Sequence, residues 1–519
     1  MADGTVRIDD IVAWLRSAAP SAQLTSDSRL LNAGDVFFAY PGDSADGRSY
    51  IAAALQRGAA AVLYDDGDAY AWPAATDVPH RAVAGLKQLA GEIAGAWYGR
   101  PDSQMQVVAV TGTNGKTSCS QWLGRVLSKQ GEPTLVVGTL GTGVYRNGMA
   151  GSFSSTGYTT PDAVLLQRRL AQARASGARA LAIEASSIGL DQGRLNGLHV
   201  DIALFTNFTR DHLDYHGDMQ AYEAAKRRLF DWPGLRHAVI NLDDDMGQRL
   251  VAHLRSRPEV GVIGYSLTGA DAGADAGADA GAVPVLRASE IRSSQGGTVF
   301  QMSTPQGATQ VRTQLVGQFN VSNVLGIAGV LLARGVTLRA VVELLEGLQP
   351  VPGRMQQLGG AEAPLVVIDY AHTPDALTKT LATLREVARQ RHGRMWCVFG
   401  CGGDRDPGKR PQMGAAATAA DHVIVTSDNP RGENPADIIE QIIEGMKISN
   451  AMHSAPHVIE DRAAAILYAV KHASRADVVL LAGKGHETYQ EIKGRKLPFQ
   501  DADHAALSLA ARVTMKGML

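Results

Sequence analysis

The chain has 519 residues, of which 45% are hydrophobic, and its length suits roughly three domains. Lys and Arg number 50 against 52 Asp and Glu, and this near-neutral balance gives no electrostatic reason to expect nucleic acid or an anionic membrane surface as partner. The three cysteines, Cys119, Cys397 and Cys401, lack zinc-type spacing and an even number for disulfides, so they indicate reduced thiols in a cytoplasmic protein.

The N-terminal segment carries short α/β patterns up to a predicted boundary near residue 100. The patterns are "GDVFFAYPG", "YIAAALQRGAAAVLYDD" and a helix-like "AVAGLKQLAGEIAGAWYG" that ends before Pro101. The start, "MADGTVRIDDIVAWLRSAAP", is acidic where a signal peptide is basic and then apolar. No apolar run reaches the ~18 residues of a membrane span, so we expect neither export nor a transmembrane segment.

From residue 105 onward, predicted strands alternate with predicted helices. The strands are "VVAVTG", "TLVVGT", "RALAIEAS", "DIALFTNF" and "HAVINLD". This alternation is typical of a mostly parallel sheet covered by helices. The repeat "GADAGADAGADAGA", residues 269–282, lacks the large apolar residues of a core, and we interpret it as a flexible surface insertion without an assigned function.

The stretch "TGTNGKTS", residues 111–118, follows the first of these strands and opens a helix. Gly112 and Gly115 allow backbone N–H groups to converge on an anion at the helix N-terminus. Lys116 is placed to reach the β- and γ-phosphates of a nucleotide, and the Thr117 hydroxyl to bind Mg²⁺. The alternative is a plain strand–turn–helix connection with a surface lysine. The order of strand, glycines, Lys-Thr and helix favours a phosphate loop.

A glutamate and a segment rich in Asp and His each follow a predicted strand of the same sheet. Glu184 ends "RALAIEASS", where a carboxylate can bind Mg²⁺ together with Thr117 and the nucleotide. As a lone glutamate it would more often be solvated or capping. His212 and His216, in "TRDHLDYHGDMQAYEAAKRRLF", are individually more often surface or hydrogen-bonded histidines than metal ligands.

Lys226 lies in a predicted apolar stripe. Met219, Tyr222, Lys226 and Phe230 recur at intervals of three and four residues, as on one face of a helix. A desolvated lysine has a lowered pKa, and its neutral amine can react with CO₂ to give a carbamate. From the residues alone, a lysine that extends its ammonium to solvent is the favoured alternative.

A third segment begins after "VPGRMQQL". "PLVVIDYAHTPDALTKTLATLREV" predicts a strand and then a helix that Thr373 caps and Pro374 begins. Three more predicted strands, "MWCVFGCGG", "HVIVTSDNP" and "VVLLAGKG", end in polar, glycine-rich loops. Because open α/β sheets bind ligands beyond such strand ends, a second ligand site is expected there.

Eight motifs together resemble the Mur ligases of peptidoglycan synthesis. They are "VTGTNGKTS", "EASSIGLDQGR", "FTNFTRDHLDYHGDMQAYEAAK", "GQFNVSN", "DYAHTPD", "FGCGGDRDPGKRP", "DNPRGENP" and "GKGHE". The resemblance implies an α/β fold of three domains: an N-terminal UDP-sugar-binding domain (1–100), a central P-loop-type, mostly parallel ATP-binding domain (101–350) and a C-terminal Rossmann-like amino-acid-binding domain (351–519). A folylpolyglutamate synthase should share the phosphate loop and lack "DNPR".

The resemblance also implies an activity. ATP would phosphorylate the D-glutamate γ-carboxylate of UDP-N-acetylmuramoyl-L-alanyl-D-glutamate, and an amine of meso-diaminopimelate would attack the acyl phosphate. A carboxylate is inert toward amines until its oxygen becomes a good leaving group, and Mg²⁺ with Lys116 would offset the gathering charge. The partners would be these small molecules alone, and the chain is expected to act as a monomer.

Carried over to this sequence, the family pattern makes Lys116, Lys226 and His212 catalytic, with Lys226 carbamylated, and places Mg²⁺ near Thr117, Glu184 and His212. The residues implied for ATP, with Asn320 and Asn323 near the adenine and Arg354 and Asp369 on the ribose–phosphate side, are Thr111, Gly112, Thr113, Asn114, Gly115, Lys116, Thr117, Asn320, Asn323, Arg354 and Asp369. Those implied for the nucleotide sugar are Ser26, Ser28, Asp43, Ser44, Ala45, Thr159, Thr160, Ser186, Gln192 and Arg194. Those implied for diaminopimelate are Arg405, Asp428, Asn429, Pro430, Arg431, Gly483 and Glu487.

Some alternatives stay open. Ile188 and Tyr158 stand where many relatives have His and Asn, so neither is given a polar role. Arg431 could instead cap a loop or pair with Glu433 at the surface. A non-catalytic nucleotide-binding regulator would need neither Lys226 nor Arg431, and a kinase would release a stable phosphoester.

Overall fold

The N-terminal part of the chain forms a small four-stranded parallel sheet with helices around it. The computed structural model describes residues 7–43, 45–70, 72, 77–270, 283–294, 296–449 and 455–516. The strand order is β1-β2-β3-β4, with all neighbours parallel. The elements are α1 (Ile8–Ala18), β1 (Leu24–Thr25), β2 (Val36–Ala39), α2 (Ile51–Gln56), β3 (Ala61–Tyr64), β4 (His80–Ala82) and α3 (Leu86–Trp97), with short 3-10 turns at Gly47–Tyr50, Gly67–Ala69 and Pro101–Gln104.

The central part is built on an eleven-stranded sheet. Its first half contains β5 (Gln106–Thr111), α4 (Lys116–Lys129), β6 (Thr134–Gly138), β7 (Gly141–Arg146), β8 (Met149–Ala150), α5 (Ala163–Ala175), β9 (Ala180–Glu184), α6 (Ser187–Asp191) and β10 (Ile202–Phe205). Its second half contains α7 (Leu213–His216), α8 (Met219–Arg227), β11 (His237–Asn241), α9 (Asp245–Leu254), β12 (Gly261–Ser266), β13 (Val285–Ser294), β14 (Gly297–Thr304), β15 (Gly307–Thr313), α10 (Gln318–Ala333) and α11 (Leu338–Glu346).

The C-terminal part contains a six-stranded sheet of order β16-β17-β21-β18-β19-β20, in which only the β16–β17 pair is antiparallel. A separate hairpin, β22 and β23, follows it. The elements are β16 (Gln356–Gly359), β17 (Leu365–Asp369), α12 (Pro374–Gln390), β18 (Met395–Phe399), α13 (Lys409–Ala417), β19 (His422–Val425), α14 (Pro435–Ser449), β20 (His457–Val458), α15 (Arg462–His472), β21 (Val478–Ala482), β22 (Tyr489–Ile492), β23 (Arg495–Pro498) and α16 (Asp501–Lys516).

The inner parallel strands β5, β9, β10 and β11 of the central sheet are buried on both faces, which explains why their sequences are mostly apolar. Along β5, Val108 and Val110 belong to the core that packs against α4 and α10, whereas Val107 and Ala109 belong to the core on the opposite face. Successive side chains of a strand point to opposite faces, so one apolar strand supplies two cores. Parallel neighbours β10 and β9 flank β5 and bring their carboxyl ends to the edge where the phosphate loop begins.

The predicted three-part α/β fold with mostly parallel sheets is confirmed, and the boundaries at residues 100 and 350 stay predictions. Thr373 caps α12, with its hydroxyl accepting from Ala376 N, and Pro374 begins the helix, as predicted. The antiparallel strands β7, β8, β14 and β15, which extend the central sheet at both edges, were not predicted. The insertion at 269–282 lies outside the described residues from residue 271 onward. Among the described residues no helix is both long and apolar enough to cross a membrane.

A buried ion pair fixes the last helix to the C-terminal sheet. Arg462, at the start of α15, donates from Nε and Nη2 to the two carboxylate oxygens of Asp501 at 2.7 Å each, and both side chains are fully buried. Arg462 Nη2 also donates to Ala482 O at the end of β21. The pair therefore holds the start of α16 next to the carboxyl end of β21.

We expect Arg462→Met to lower the free energy of unfolding by about 3–5 kcal/mol, because Asp501 would remain buried without its cation. Arg475→Met is the matched control, since Arg475 pairs with Glu362 at 3.0 Å with 64% and 85% of the two side chains exposed. Removing such an exposed pair should cost about 0–1 kcal/mol. Urea denaturation of both variants measures the difference, and equal losses would contradict the assignment.

Candidate active site

The phosphate loop joins β5 to α4 and leaves the helix start without a side-chain cap. Gly115, the residue before the helix, has φ of 87°, and no side chain caps α4 there. Gly112 has φ of 144°, and a Cβ at this position would lie 1.9 Å from Thr206 Oγ1. Both positions therefore need glycine. The N–H groups of the first helical turn lack intrahelical partners, so with the helix dipole they form an anion-binding end.

Asn207, after β10, braces the loop from the other side. Thr113 N donates to Asn207 O at 2.8 Å, and Asn114 N donates to Asn207 Oδ1 at 3.0 Å. These two backbone N–H groups donate within the protein, so an anion would bind the backbone N–H groups from Gly115 onward. Lys116 is held at the same loop, because its Nζ donates to Gly112 O at 2.7 Å and to Thr113 O at 2.8 Å. Burial lowers the pKa of Lys116, and the carboxylate of Glu184 opposes that shift.

Glu184 lies at the end of β9 with its carboxylate fully buried. Oε1 accepts from Thr139 N at 2.9 Å, and Oε2 accepts from the hydroxyls of Thr139 and Thr117, each at 3.1 Å. Thr117 Oγ1 in turn accepts from Arg354 Nη2 at 3.1 Å. The two predicted metal-binding oxygens are thus in direct contact, and a cation that binds both would replace the hydrogen bond between them.

His212, the third predicted metal ligand, precedes α7 with the left-handed φ of 52°. Burial lowers its pKa to about 4; Asp211 opposes this shift, and the charges of Lys116 and Lys226 add to it. His212 is therefore neutral near pH 7, the state in which imidazole binds metals. No group of three or more His, Cys, Asp or Glu side chains in the described part of the chain is close enough to hold a metal ion. Nearby, Asp211 Oδ2 lies 3.8 Å from Nε2 of His372, a residue of the C-terminal part.

Lys226 is buried, with 1% of its surface exposed, so the alternative of a solvent-extended lysine is wrong. Its Nζ lies 4.4 Å from the centre of the Tyr222 ring. Burial, and after it the charge of Lys116, brings its pKa well below the ordinary value. The predicted stripe is buried at Tyr222, Lys226 and Phe230 and half-buried at Met219. The helix itself ends at Arg227, so Phe230 packs from the following turn.

A cavity of about 570 Å³ opens between the start of α4, the start of α10 and the C-terminal part. It gathers six of the residues predicted for ATP: Asn114, Gly115, Asn320, Asn323, Arg354 and Asp369. The other five, Thr111, Gly112, Thr113, Lys116 and Thr117, form the phosphate loop beside it and are not part of its lining. Asp369 accepts from Met355 N at 2.8 Å, and burial raises the pKa of its carboxyl.

Five of the residues predicted for the nucleotide sugar form one hydrogen-bonded network, in which Arg194 Nε donates to Gln192 Oε1 at 2.7 Å and so joins Thr160 and Ser186 to Gln192 and Asp43. Thr160 Oγ1 donates to Glu184 O at 2.7 Å and lies 2.9 Å from Ser186 Oγ, while Arg194 Nη1 donates to Thr160 O at 2.8 Å. Asp43 bonds Lys87 Nζ at 2.7 Å and also Gln192. The remaining members are Ser26, which donates to Asp162 Oδ1 at 2.8 Å, Thr159, which contacts Thr139 at 3.1 Å, the half-buried Ser28 and the exposed Ala45.

Ser44 lies outside the described residues. Tyr158, which was given no polar role, has its ring centre 4.7 Å from Arg194 Cζ, within the range of a cation–π contact. Ile188 lies in α6 and is half-buried.

The residues predicted for the amino acid come from loops after β18, β19 and β21, which are adjacent in the sheet. Asn429 Nδ2 donates to Glu487 Oε2 at 2.8 Å. Arg405 is exposed, and its Nη1 donates to Asp404 O at 3.4 Å. Pro430 and Gly483 contribute backbone to these loops, and a Cβ at Gly483 would lie 2.8 Å from Asp428 Oδ2.

Lys484, which sequence reasoning missed, lies fully buried among these residues. Its Nζ donates to Glu487 Oε2 at 2.8 Å and to Asn429 Oδ1 at 3.1 Å, and lies 3.6 Å from Asp428 Oδ1. The protein thus supplies one cation to two carboxylates. The cluster keeps one net negative charge, which suits one ammonium group of a ligand.

Arg431 does not pair with Glu433, because Glu433 binds the buried Arg410 at 2.7 Å, so that alternative is wrong. Arg431 has φ of 51°, donates from Nη1 to Gly403 O at 2.7 Å and places Nε 3.6 Å from Glu491 Oε2. A left-handed backbone at a charged residue is uncommon, and such positions concentrate at functional sites.

Comparison with known proteins decides the family. The chain is 65% identical, over 510 residues that cover 98% of each chain, to a UDP-N-acetylmuramoyl-L-alanyl-D-glutamate--2,6-diaminopimelate ligase of Janthinobacterium sp. (strain Marseille). Family models match at residues 22–98 (Mur ligase family, catalytic domain), 110–331 (Mur ligase middle domain) and 353–485 (Mur ligase, glutamate ligase domain). The chain belongs to the Mur ligase family.

Other Mur ligases agree with this. A relative of the same printed name from Ralstonia nicotianae is 51% identical over 98% of this chain and 96% of its own. A solved structure of that name is 36% identical, with a TM-score of 0.64 and coverage of 95% of both chains. MurF from Acinetobacter baumannii shares the fold, with a TM-score of 0.64 at 19% identity over 97% of this chain and 98% of that one.

Among the residues that sequence reasoning missed, Thr139, Asn207 and Lys484 bond predicted residues of this Mur ligase site, and His372 lies 3.8 Å from Asp211, the neighbour of His212. Asn207, His372 and Lys484 lie within the quoted motifs "FTNFTRDH", "DYAHTPD" and "GKGHE", so polar residues at strand ends were the available signal. Thr139 lies outside the quoted motifs, and only the turn after β6 brings it to Glu184.

For the phosphate loop of this Mur ligase, we expect Gly115→Ala to weaken ATP binding about tenfold or more, because the added Cβ would lie 2.7 Å from Asn323 Oδ1. Gly131→Ala is the matched control, since Gly131 has φ of 86° and nothing within 4 Å of its Cβ position. Each variant should also lose roughly 1–2 kcal/mol of stability from the left-handed backbone. Titration with a fluorescent ATP analogue tests this, and equal affinities of the two variants would contradict it.

Proposed function

We propose that this chain is an ATP-dependent amide ligase that adds meso-diaminopimelate to UDP-N-acetylmuramoyl-L-alanyl-D-glutamate in peptidoglycan precursor synthesis. The reaction passes through an acyl phosphate and gives the UDP-N-acetylmuramoyl tripeptide, ADP and phosphate. The observation that carries this is the 65% identity, over 98% of both chains, to a relative whose name states these two substrates. We further propose that it acts as a monomer in the cytoplasm.

We assign nucleotide binding to the cavity and the phosphate loop. The carboxamides of Asn320 and Asn323 would face the adenine, with Arg354 and Asp369 on the ribose–phosphate side. The phosphates would meet the uncapped start of α4, where the Lys116 ammonium already lies against the loop. Each of these groups is positioned by the fold before ATP arrives, so they need little rearrangement to stabilise developing charge.

We assign a Mg²⁺ site to Thr117, Glu184 and His212. The donor set fits: a hydroxyl and a carboxylate in direct contact supply hard oxygen ligands, and the imidazole is kept neutral. The protein offers fewer than a full set of ligands, which suits a metal that keeps waters and phosphate oxygens. When bound, Mg²⁺ would offset the negative charge of the γ-phosphate and the substrate carboxylate.

We assign the modified residue to Lys226. A buried amine beside the Lys116 ammonium is driven toward its neutral form, and only a neutral amine adds CO₂. The resulting carbamate is an anion, so it would convert repulsion between two lysines into attraction. The position of Nζ, 4.4 Å from the centre of the Tyr222 ring, supports the burial of the amine on which this assignment rests.

We assign the nucleotide sugar and diaminopimelate to the two remaining groups of predicted site residues. The nucleotide sugar would lie along Thr159, Thr160, Ser186 and Arg194. Thr160 donates to Glu184 O at the end of β9 and bonds both Ser186 and Arg194, and Thr159 bonds Thr139, which donates to the Glu184 carboxylate. Asn429, Arg431 and Glu487 would hold diaminopimelate. The fork of Arg431 suits the carboxylate that diaminopimelate has and lysine lacks, and the net negative cluster around Lys484 suits an ammonium group.

The direct test is phosphate release from ATP with each substrate omitted in turn. We expect release only when the UDP-dipeptide and diaminopimelate are both present, because the acyl phosphate is consumed by the amine. Substitution of lysine for diaminopimelate should reduce kcat/KM by about tenfold or more, since lysine lacks the carboxylate that Arg431 would bind. Phosphate release with the UDP-dipeptide alone would indicate a hydrolase, ADP formation without phosphate release would indicate a kinase, and equal use of lysine would sink the substrate assignment.

For the modified lysine, we expect Lys226→Ala to lower kcat about a hundredfold or more, and added bicarbonate or acetate to restore part of it by supplying the missing oxygens. Lys226→Arg keeps a cation of similar length that cannot form a carbamate, so it should be equally impaired and not rescued. Steady-state kinetics with and without the carboxylate measure both effects. Near-normal turnover of Lys226→Ala would show that no carbamate is needed.

A further inference from the structure

The hairpin of β22 and β23 lies against the "DNPR" loop. Among the described residues, the two strands pair with each other, and their one further β-bridge is to Arg431. Both strands are half-buried or exposed along their length. Gln490 Nε2 donates to Asp428 O at 2.6 Å, and Glu491 N donates to Asn429 Oδ1 at 2.9 Å. Arg431 N donates to Glu491 O at 3.0 Å and its carbonyl accepts from Lys493 N at 2.7 Å. The hairpin is therefore built onto three residues of the amino-acid site.

The hairpin also contributes one carboxylate to that site. Glu491 Oε2 lies 3.6 Å from Arg431 Nε, and the two side chains are 25% and 22% exposed. Arg431 Nη1 is occupied by Gly403 O. An arginine binds a carboxylate best through two adjacent N–H groups, so an anion at the Nε edge competes with any ligand carboxylate that needs this edge. The pair is open enough to water for a ligand to displace it.

We propose that Glu491 is a specificity-determining residue that holds the Nε edge of Arg431 until the second carboxylate of the amino-acid substrate replaces it. This inference rests on the proposed function, because it takes diaminopimelate as the substrate. Glu491 acts in this role as an internal substitute for the substrate carboxylate. It keeps Arg431 paired when no amino acid, or one lacking that carboxylate, is bound.

The exchange affects the binding of the two amino acids differently. Diaminopimelate must displace Glu491, so part of its attraction to Arg431 is offset by the ion pair that is lost. Lysine leaves Glu491 in place, so Arg431 is never left unpaired. Glu491 therefore weakens the binding of diaminopimelate and tolerates lysine, and the discrimination between the two is smaller than Arg431 alone would give.

The experiment compares Glu491→Gln with the wild type in the complete enzyme supplied with ATP and the UDP-dipeptide. Glutamine keeps the length and the backbone bonds of the hairpin and removes the charge. We expect the KM for diaminopimelate to fall about threefold, the range of a partly exposed ion pair. We expect the inhibition constant of lysine, measured against diaminopimelate, to stay unchanged, because lysine leaves the ion pair in place and the pair therefore contributes equally to the free and the lysine-bound enzyme. A lower KM for diaminopimelate with an unchanged inhibition constant for lysine would not follow from a loosened hairpin, which would weaken both amino acids.

Two further variants complete the test. Glu440→Gln removes one exposed carboxylate from α14, in the same C-terminal part of the chain, and should change neither constant. In an Arg431→Ala background, Glu491→Gln should have no effect on either constant, because the contact no longer exists. An unchanged or raised KM for diaminopimelate in Glu491→Gln, or an effect that persists without Arg431, would overturn the proposal. Neither result would touch the proposed function, which depends on whether the wild type joins diaminopimelate at all.

Discussion

The hydroxyl group of Thr117 is the point on which the site depends. It donates to Glu184 at the end of β9 and accepts from Arg354, the residue just before the C-terminal sheet. Arg354 in turn lies over the Tyr370 ring, 4.4 Å from its centre, at the end of β17. The first turn of α4 is thereby connected to both large sheets through one side chain. Any ligand that reorganises this hydroxyl acts on both parts of the molecule at once.

Two buried lysines and one half-buried lysine show three ways in which the fold accommodates an ammonium group. Lys484 is paired with carboxylates, and Lys116 is bonded to two backbone carbonyls. Lys226 Nζ lies 4.4 Å from the centre of the Tyr222 ring, and no ion pair of the described residues includes it. Burying a charge without a bonded partner is costly, which brings the pKa of Lys226 well below its ordinary value. The partners of the ammonium group, and not burial, therefore distinguish Lys226 from Lys484.

The sequence predicted those features that depend on local pattern. Strand runs, the Thr373 cap and the glycines of the phosphate loop are properties of neighbouring residues, and the structure confirms each. The burial of Lys226 was not predictable from the helix pattern, because it depends on what packs over the helix from elsewhere. The Arg431–Glu491 contact joins residues sixty positions apart through a short exposed hairpin whose strands have no apolar alternation. The edge strands of the central sheet were missed because antiparallel pairs β7–β8 and β14–β15 are short or polar on one face.

The packing of the long helix α10 lowers the entropy cost of the proposed nucleotide binding. Its residues from Asn320 to Leu331 are buried with few exceptions, and it packs against the central sheet, so it is among the stiffest parts of the chain. Asn320 and Asn323 lie in its first two turns and are each only 6% exposed. Their conformational entropy is lost when the protein folds. Since immobilising a free side chain costs about 0.5–1.5 kcal/mol, the proposed recognition of adenine by this pair draws on ordering that the core has already completed.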